Sequence, residues 1–225
     1  MWLEGRFASE YVTLIRDPVY YGRGVPHGDG RPVLLIPGFL AGDQTLLTMQ
    51  AWLRRIGYRP EMSGIRFNVR QSEVTIEAVI ERLYIHHRRT KQKVALVGHS
   101  RGGLLAKVIA DRNPELVSQV IALGSPLNEA LDVHPLTMAA VHAARIYNRI
   151  RYRSPADMEA PFMEQLAAAP LVPVTSIYTR SDGVVNWKAC LRPDVKTIEV
   201  KGSHGGLGVN HEVYHHLARL LPHPQ

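Results

Sequence analysis

The sequence predicts an α/β fold: a compact, mostly parallel sheet of about six strands, helices on both faces, and a short helical insertion over residues 131–170. Three observations predict it. The runs Pro32–Pro37 (PVLLIP) and Lys93–Gly98 (KVALVG) are continuously apolar rather than alternating, as strands covered on both faces are. Segments of helical character alternate with such runs along the chain, the order that right-handed strand–helix–strand units produce. Residues 131–170 form a connection too long for a plain crossover.

Taken in order, residues 1–30 match no element of this scheme. The Gly-rich stretch Gly22–Gly30 is followed by no GK[ST] and opens no helix, so it reads as a surface loop and not a phosphate cradle. Pro32–Pro37 is the first buried strand. Thr45–Ile56 follows as a helix stopped by Gly57, then a short strand around Tyr58–Gly64 and a helix near Glu73–Arg89. Lys93–Gly98 leads directly into a helix over Arg101–Arg112. Val117–Leu123, Val172–Tyr178 and Val195–Val200 complete the buried strands, and a helix over Asn210–Leu221 closes the chain. Inside the insertion a helix is expected from Pro135 to about Ile150. Ser154-Pro155-Ala156-Asp157 reads as the start of another, with Ser as N-cap, Pro as first helical residue and Met158, Phe162 and Leu166 as its apolar stripe. These helices either cover the sheet or cap a site at the strand ends. One domain spanning 1–225 is expected, with 131–170 a candidate cap within it.

With 45% hydrophobic and 21% charged residues among 225, the composition excludes a disordered or collagen-like chain. No apolar run approaches the roughly 20 residues of a membrane helix. Cys190 is the only cysteine, which rules out an intrachain disulfide. The net charge of +7 is scattered over Arg54/Arg55, Arg88/Arg89/Lys91/Lys93 and Arg145/Arg149/Arg151/Arg153. No aromatics interleave these runs, so a base-stacking nucleic-acid surface is not expected; solvated helix faces with weak contact to anionic surfaces are. Glu4, Arg6 and Glu10 interrupt any leader-like apolar stretch, giving a cytoplasmic expectation, or an exported one if the chain is a processed form.

The chemistry concentrates in Gly98-His99-Ser100-Arg101-Gly102, a G-x-S-x-G sequence directly after a buried strand and directly before a helix. A serine on so tight a turn has its hydroxyl pushed out of the sheet, and the flanking glycines admit close chain segments. The alternative is an ordinary Gly-rich helix start with a capping serine. A serine nucleophile needs a base, and the base an orienting carboxylate. Asp182 and His204 fall in loops just past the fourth and fifth buried strands, on the same sheet edge as Ser100 and in the order serine, acid, histidine. Asp132, beyond the third buried strand, is the alternative acid; Asp194 precedes a strand and lies at the wrong edge. His99 points away from Ser100 if the turn is tight. For an oxyanion, the donors would be the N–H groups of Arg101 and Phe39, with the Phe39 and Leu40 side chains lining an acyl pocket.

His211-Glu212-Val213-Tyr214-His215 matches the H-E-x-x-H zinc signature. On a helix, however, both histidines point about 160–200° from Val213 and its apolar face. Ala218 and Leu221 stand where the extended form of the motif has Gly and His, so no metal is expected.

The motifs PGF at 37–39, GHSRG at 98–102, SIYTRSDGVV at 176–185 and KGSHGGLG at 201–208 resemble the α/β-hydrolase family, in particular its small bacterial serine lipases and esterases. The resemblance runs from about residue 32 to 220. It implies a Ser100–His204–Asp182 triad, a covalent acyl-enzyme, no cofactor, and a small-molecule or lipid ester as substrate. A serine acyltransferase or thioesterase on the same site is the alternative, and a non-catalytic or zinc-binding protein a more distant one. Two positions depart from the family pattern. Pro37-Gly38 stands where many relatives have His-Gly, and Arg101 where many have Met or Gln, placing a cation at the rim.

Overall fold

The computed structural model describes residues 6–152 and 159–222. Six strands, β1 (Pro32–Ile36), β2 (Arg59–Met62), β3 (Val94–His99), β4 (Val117–Leu123), β5 (Val174–Tyr178) and β6 (Lys196–Glu199), form one sheet in the order β2-β1-β3-β4-β5-β6. Every neighbouring pair is parallel. The described helices are α1 (Phe7–Arg16), α2 (Leu47–Arg55), α3 (Ser72–Thr90), α4 (Arg101–Arg112), α5 (Pro135–Tyr152), α6 (Ala160–Ala167) and α7 (His211–Leu220).

The chain starts in the middle of the sheet at β1, steps outward to β2, and returns past β1 to β3. That reversal makes the carboxyl ends of β1 and β3 the topological switch point, where open α/β sheets leave a crevice. Successive residues of a strand face opposite sides. Val33, Leu35, Ala95 and Val97 face a core shared with α1, α2 and α7, whereas Leu34, Ile36, Val94 and Leu96 face one shared with α3, α4 and α6. Two cores explain why the strands are apolar without alternation. Trp52 anchors the first core, and its indole N–H donates to the Val19 carbonyl at 2.8 Å.

β6 departs from the expectation of a buried strand. Lys196, Thr197 and Glu199 are exposed and only the flanking Val195 and Val200 are buried, because β6 is the last strand and charged residues keep such an edge from pairing further. The expected helix over Thr45–Ile56 begins with a 3₁₀ turn at Asp43–Leu46. Helix α1 lies in the segment to which the sequence assigned no element, and Leu14 seats it in the first core.

The insertion does contain a helix from Pro135, and α6 buries Phe162 and Leu166 against α4. The expected helix start at Ser154-Pro155-Ala156-Asp157 and the position of Met158 lie outside the described residues. Cations hold the carboxyl end of α6, where helix carbonyls lack partners. The Lys107 ammonium, fully buried, donates to Ala168 O at 2.7 Å and pairs with Asp111 at 2.8 Å; Arg192 donates to Leu166 O at 2.7 Å. Lys107→Ala would remove the ammonium's bonds to Gln165 O and Ala168 O and leave the Asp111 carboxylate without its cation, at an expected cost of about 3 kcal/mol. Urea unfolding, monitored by far-ultraviolet circular dichroism, measures it.

Candidate active site

Four loops at the carboxyl edge of the sheet converge. Ser100, between β3 and α4, has φ 52° and ψ −123°, a conformation a side-chain-bearing residue adopts only under constraint, at a cost of about 1–3 kcal/mol. The constraint is packing. A Cβ at Gly98 would collide with the Gly102–Gly103 backbone, and one at Gly102 with the Ile36 carbonyl, so the glycines of the motif let β3, α4 and β1 approach as closely as they do. The Ser100 N–H donates to Leu123 O at 2.7 Å and the Gly103 N–H to Ser100 O at 2.9 Å, fixing the turn from both sides.

His204 and Asp182 come together after β6 and β5. Nδ1 of His204 lies 2.7 Å from Oδ2 of Asp182, with the carboxylate side chain 1% exposed. The other carboxylate oxygen accepts the N–H groups of Val184 at 2.8 Å and Val185 at 2.7 Å, so the acid cannot rotate away. With Nδ1–H donating to a carboxylate, Nε2 of His204 keeps its lone pair. Asp132 sits elsewhere and accepts from the Asn186 amide at 2.7 Å.

Three further groups support this arrangement. Glu10 of α1, 8% exposed, accepts the Ser203 N–H at 2.7 Å and the Ser203 hydroxyl at 2.9 Å, gripping the residue next to His204. Gly206 is required there, since a Cβ would strike the Glu10 carboxylate. His99 turns away from the Ser100 hydroxyl toward the histidine loop, and its Nε2–H donates to His204 O at 2.9 Å. Asn68 joins the loop after β1 to α4: its amide donates to Pro37 O at 2.8 Å, its side-chain oxygen accepts from Arg101 at 2.8 Å, and its carbonyl accepts the Leu40 N–H at 3.2 Å.

A cavity of about 450 Å³ opens beside Ser100, between the sheet edge and α5 and α6. Phe39 and Arg101 line it. Leu40, expected there as well, does not; it is 47% exposed, in a left-handed turn with φ 58°. The turn that lets its N–H reach Asn68 carries its side chain out of the pocket. Arg101 is not a solvated rim cation. Its guanidinium donates to Asn68, to Arg70 O at 2.7 Å and to the Ser72 hydroxyl at 3.1 Å. Glu159, at the start of α6, accepts from the Ser72 N–H at 2.8 Å and hydroxyl at 2.6 Å, so a polar chain ties the insertion to α4.

Among the described residues, no group of three or more His, Cys, Asp and Glu side chains is placed to hold a metal. His215 of the H-E-x-x-H sequence lies 3.1 Å from Asp17, Glu212 accepts the Lys201 N–H at 3.0 Å, and Asn210 caps the helix. Burial pushes the Cys190 thiol up to about 12, with Asp182 and then Asp132 adding negative potential, so it supplies no thiolate at neutral pH. No described helix is long and apolar enough to cross a membrane.

Sheet order, parallel register and helix placement together are those of the α/β-hydrolase fold, and the chain has that fold. A family model described as "PGAP1-like alpha/beta domain" matches residues 67–175, just under half of the chain, a span that includes Ser100 but ends before Asp182. Mature lipase BlEst2 of Bacillus licheniformis superposes with a TM-score of 0.63 at 16% identity, covering 91% of this chain and 96% of that one. A monoacylglycerol lipase of Paleococcus ferrophilus gives 0.59 at 16% identity, covering 85% and 95%. The thioesterase domain from the curacin biosynthetic pathway gives 0.56 at 16% identity, covering 88% and 93%. None of the curated proteins compared with the chain matches it in sequence.

Because Glu10 grips Ser203 from a helix nearly the whole chain away, Glu10→Ala is expected to loosen the histidine loop. Loss of its two hydrogen bonds should cost about 2 kcal/mol in urea unfolding, less in Glu10→Gln, which retains an acceptor. Amide hydrogen exchange at Ser203 reports the loosening directly.

Proposed function

We propose that the protein is a serine hydrolase of carboxylic esters that works through an acyl-enzyme on Ser100. The observation that carries this reading is the conjunction, on one sheet edge, of a serine held in a strained turn and a histidine whose Nδ1 is engaged by a buried carboxylate. A serine hydroxyl is a poor nucleophile at its ordinary pKa, and this arrangement supplies the base that corrects it.

In this mechanism Nε2 of His204 takes the Ser100 proton as Oγ attacks the ester carbonyl carbon. Asp182 holds the imidazole in the required tautomer and stabilises the imidazolium that forms. Negative charge develops on the carbonyl oxygen beside the start of α4. Among the described residues the N–H groups of Phe39 and Arg101 find no other acceptor, and they are assigned as its donors. Collapse of the tetrahedral intermediate breaks the bond to the alcohol, which leaves with the proton from His204. Water then enters, His204 takes its proton, attack on the acyl carbon releases the acid, and Ser100 regains its hydrogen. Every step is completed by this chain's own side chains and water. A thioester enters the same sequence with a thiol in place of the alcohol. The curacin thioesterase domain among the structural neighbours makes this the second reading.

Ser100→Ala should lower kcat on p-nitrophenyl esters by roughly 10⁶-fold and Asp182→Asn by roughly 10⁴-fold, both with the fold retained. Asp132→Asn and His211→Ala should stay within about threefold of the parent, and chelators should leave turnover unchanged. Steady-state kinetics across an acetate-to-palmitate series measures all of these. An Asp132→Asn variant as impaired as Asp182→Asn would move the orienting acid.

A further inference from the structure

The walls of the cavity divide by chemistry. Phe39, Leu104, Pro126, Val133, Phe162 and Val185 give it an apolar lining next to Ser100. Four arginines line it as well, Arg70, Arg101, Arg145 and Arg149, against one acidic residue, Glu159. That carboxylate is already engaged by Ser72 at both oxygens. Arg101 is held by Asn68, Arg70 and Ser72, as described above.

Arg145 and Arg149 differ from the other two. They lie one turn apart on the same helix, α5, which has no acidic residue in its first turn and further basic charge in its last. Among the described residues neither has a hydrogen-bond or ion-pair partner. Arg145 also acts on Arg101. Burial lowers the Arg101 pKa from its ordinary value, Glu159 opposes that, and the like charge of Arg145 adds to the lowering. Arg145 and Arg149 are exposed, so water and salt screen much of the positive potential they create with the partly buried Arg101, and an anion beside the apolar wall would relieve what remains.

Resting on the ester-hydrolase reading, we propose that the substrate is an anionic amphiphile: an ester or thioester with an apolar chain and a phosphate group outside the reacting bond, held by Arg145 and Arg149. The chain would fill the apolar wall, and the planar forks of the two guanidiniums would take the phosphate oxygens. A neutral acylglycerol would satisfy the apolar wall alone and leave the two exposed arginines to water.

Three octanoyl compounds, used below their micellar concentrations, separate these possibilities: 1-octanoylglycerol, 1-octanoylglycerol 3-phosphate and octanoyl-coenzyme A. Binding to Ser100→Ala protein is measured by calorimetry and kcat/KM on the unaltered protein. Two partly exposed ion pairs of ordinary strength predict about tenfold tighter binding of a phosphate-bearing compound than of the neutral one at low salt. That ratio should shrink as salt is raised and approach one in Arg145→Gln/Arg149→Gln/Ser100→Ala protein. Because the ratio is taken within each variant, a general loss of binding cancels. A preference for the glycerol phosphate alone, or for the coenzyme A thioester alone, identifies which source of phosphate the site accepts. Equal binding of neutral and anionic compounds, or a preference that survives both substitutions, overturns the proposal. The binding arm needs no turnover. Failure of the unaltered protein to hydrolyse any of the three would therefore count against the ester-hydrolase reading, while the binding ratio judges the anion site separately.

Discussion

The backbone turn at Ser100 is the constraint on which the rest of the structure depends. A non-glycine residue at φ 52° and ψ −123° is held there only because β1, β3 and α4 press together around it. That closeness requires hydrogen in place of side chains at Gly98 and Gly102, and it places the serine at the switch point of the sheet. Every other group of the site is arranged relative to this fixed point. The loop after β1 is tied to α4 through Asn68, and the histidine loop to β3 through His99.

The second support is polar and long-range. Glu10, His99 and the Asp182 carboxylate each hold part of the histidine loop or its side chain, from α1, β3 and the turn after β5 respectively. Glu159, Ser72 and Arg101 do the same for the roof of the cavity. Buried polar contacts of this kind add little net stability when complete but cost a great deal when broken, so they fix geometry more than they strengthen the fold. For the proposed reaction, geometry is what matters: small displacements of an imidazole from its serine are costly in rate.

Much of this was legible in the sequence because it is local. Continuous apolar runs marked β1, β3, β4 and β5, and the strand-to-helix context of Gly98–Gly102 marked the turn. Asp182 and His204 could be ranked because both follow strands, and Nδ1 of His204 lies 2.7 Å from the Asp182 carboxylate. Position could not give what depends on distant partners. Glu10 reads in the sequence only as a charge interrupting a leader-like stretch, since its partner Ser203 lies 193 residues away, and no local pattern announces such a contact. Asn68 sits in a loop with no repeating period, and its role comes from three acceptor and donor sites that meet only in the folded chain. Leu40 was misplaced for a related reason. Its apolar side chain suggested a pocket wall, but the left-handed backbone turn, set by Asn68, directs it outward. Arg101 read as an exposed cation, because the carbonyls that receive it come from a different loop.

The central claim is that Ser100 is the residue acylated in turnover, and the most direct measurement is covalent labelling with a neutral fluorophosphonate followed by intact-mass and peptide-level mass spectrometry. The account predicts one adduct per chain, carried by Ser100, with esterase activity falling in proportion to labelling and no adduct in Ser100→Ala. An adduct on another residue, or activity that survives complete labelling of Ser100, would contradict it.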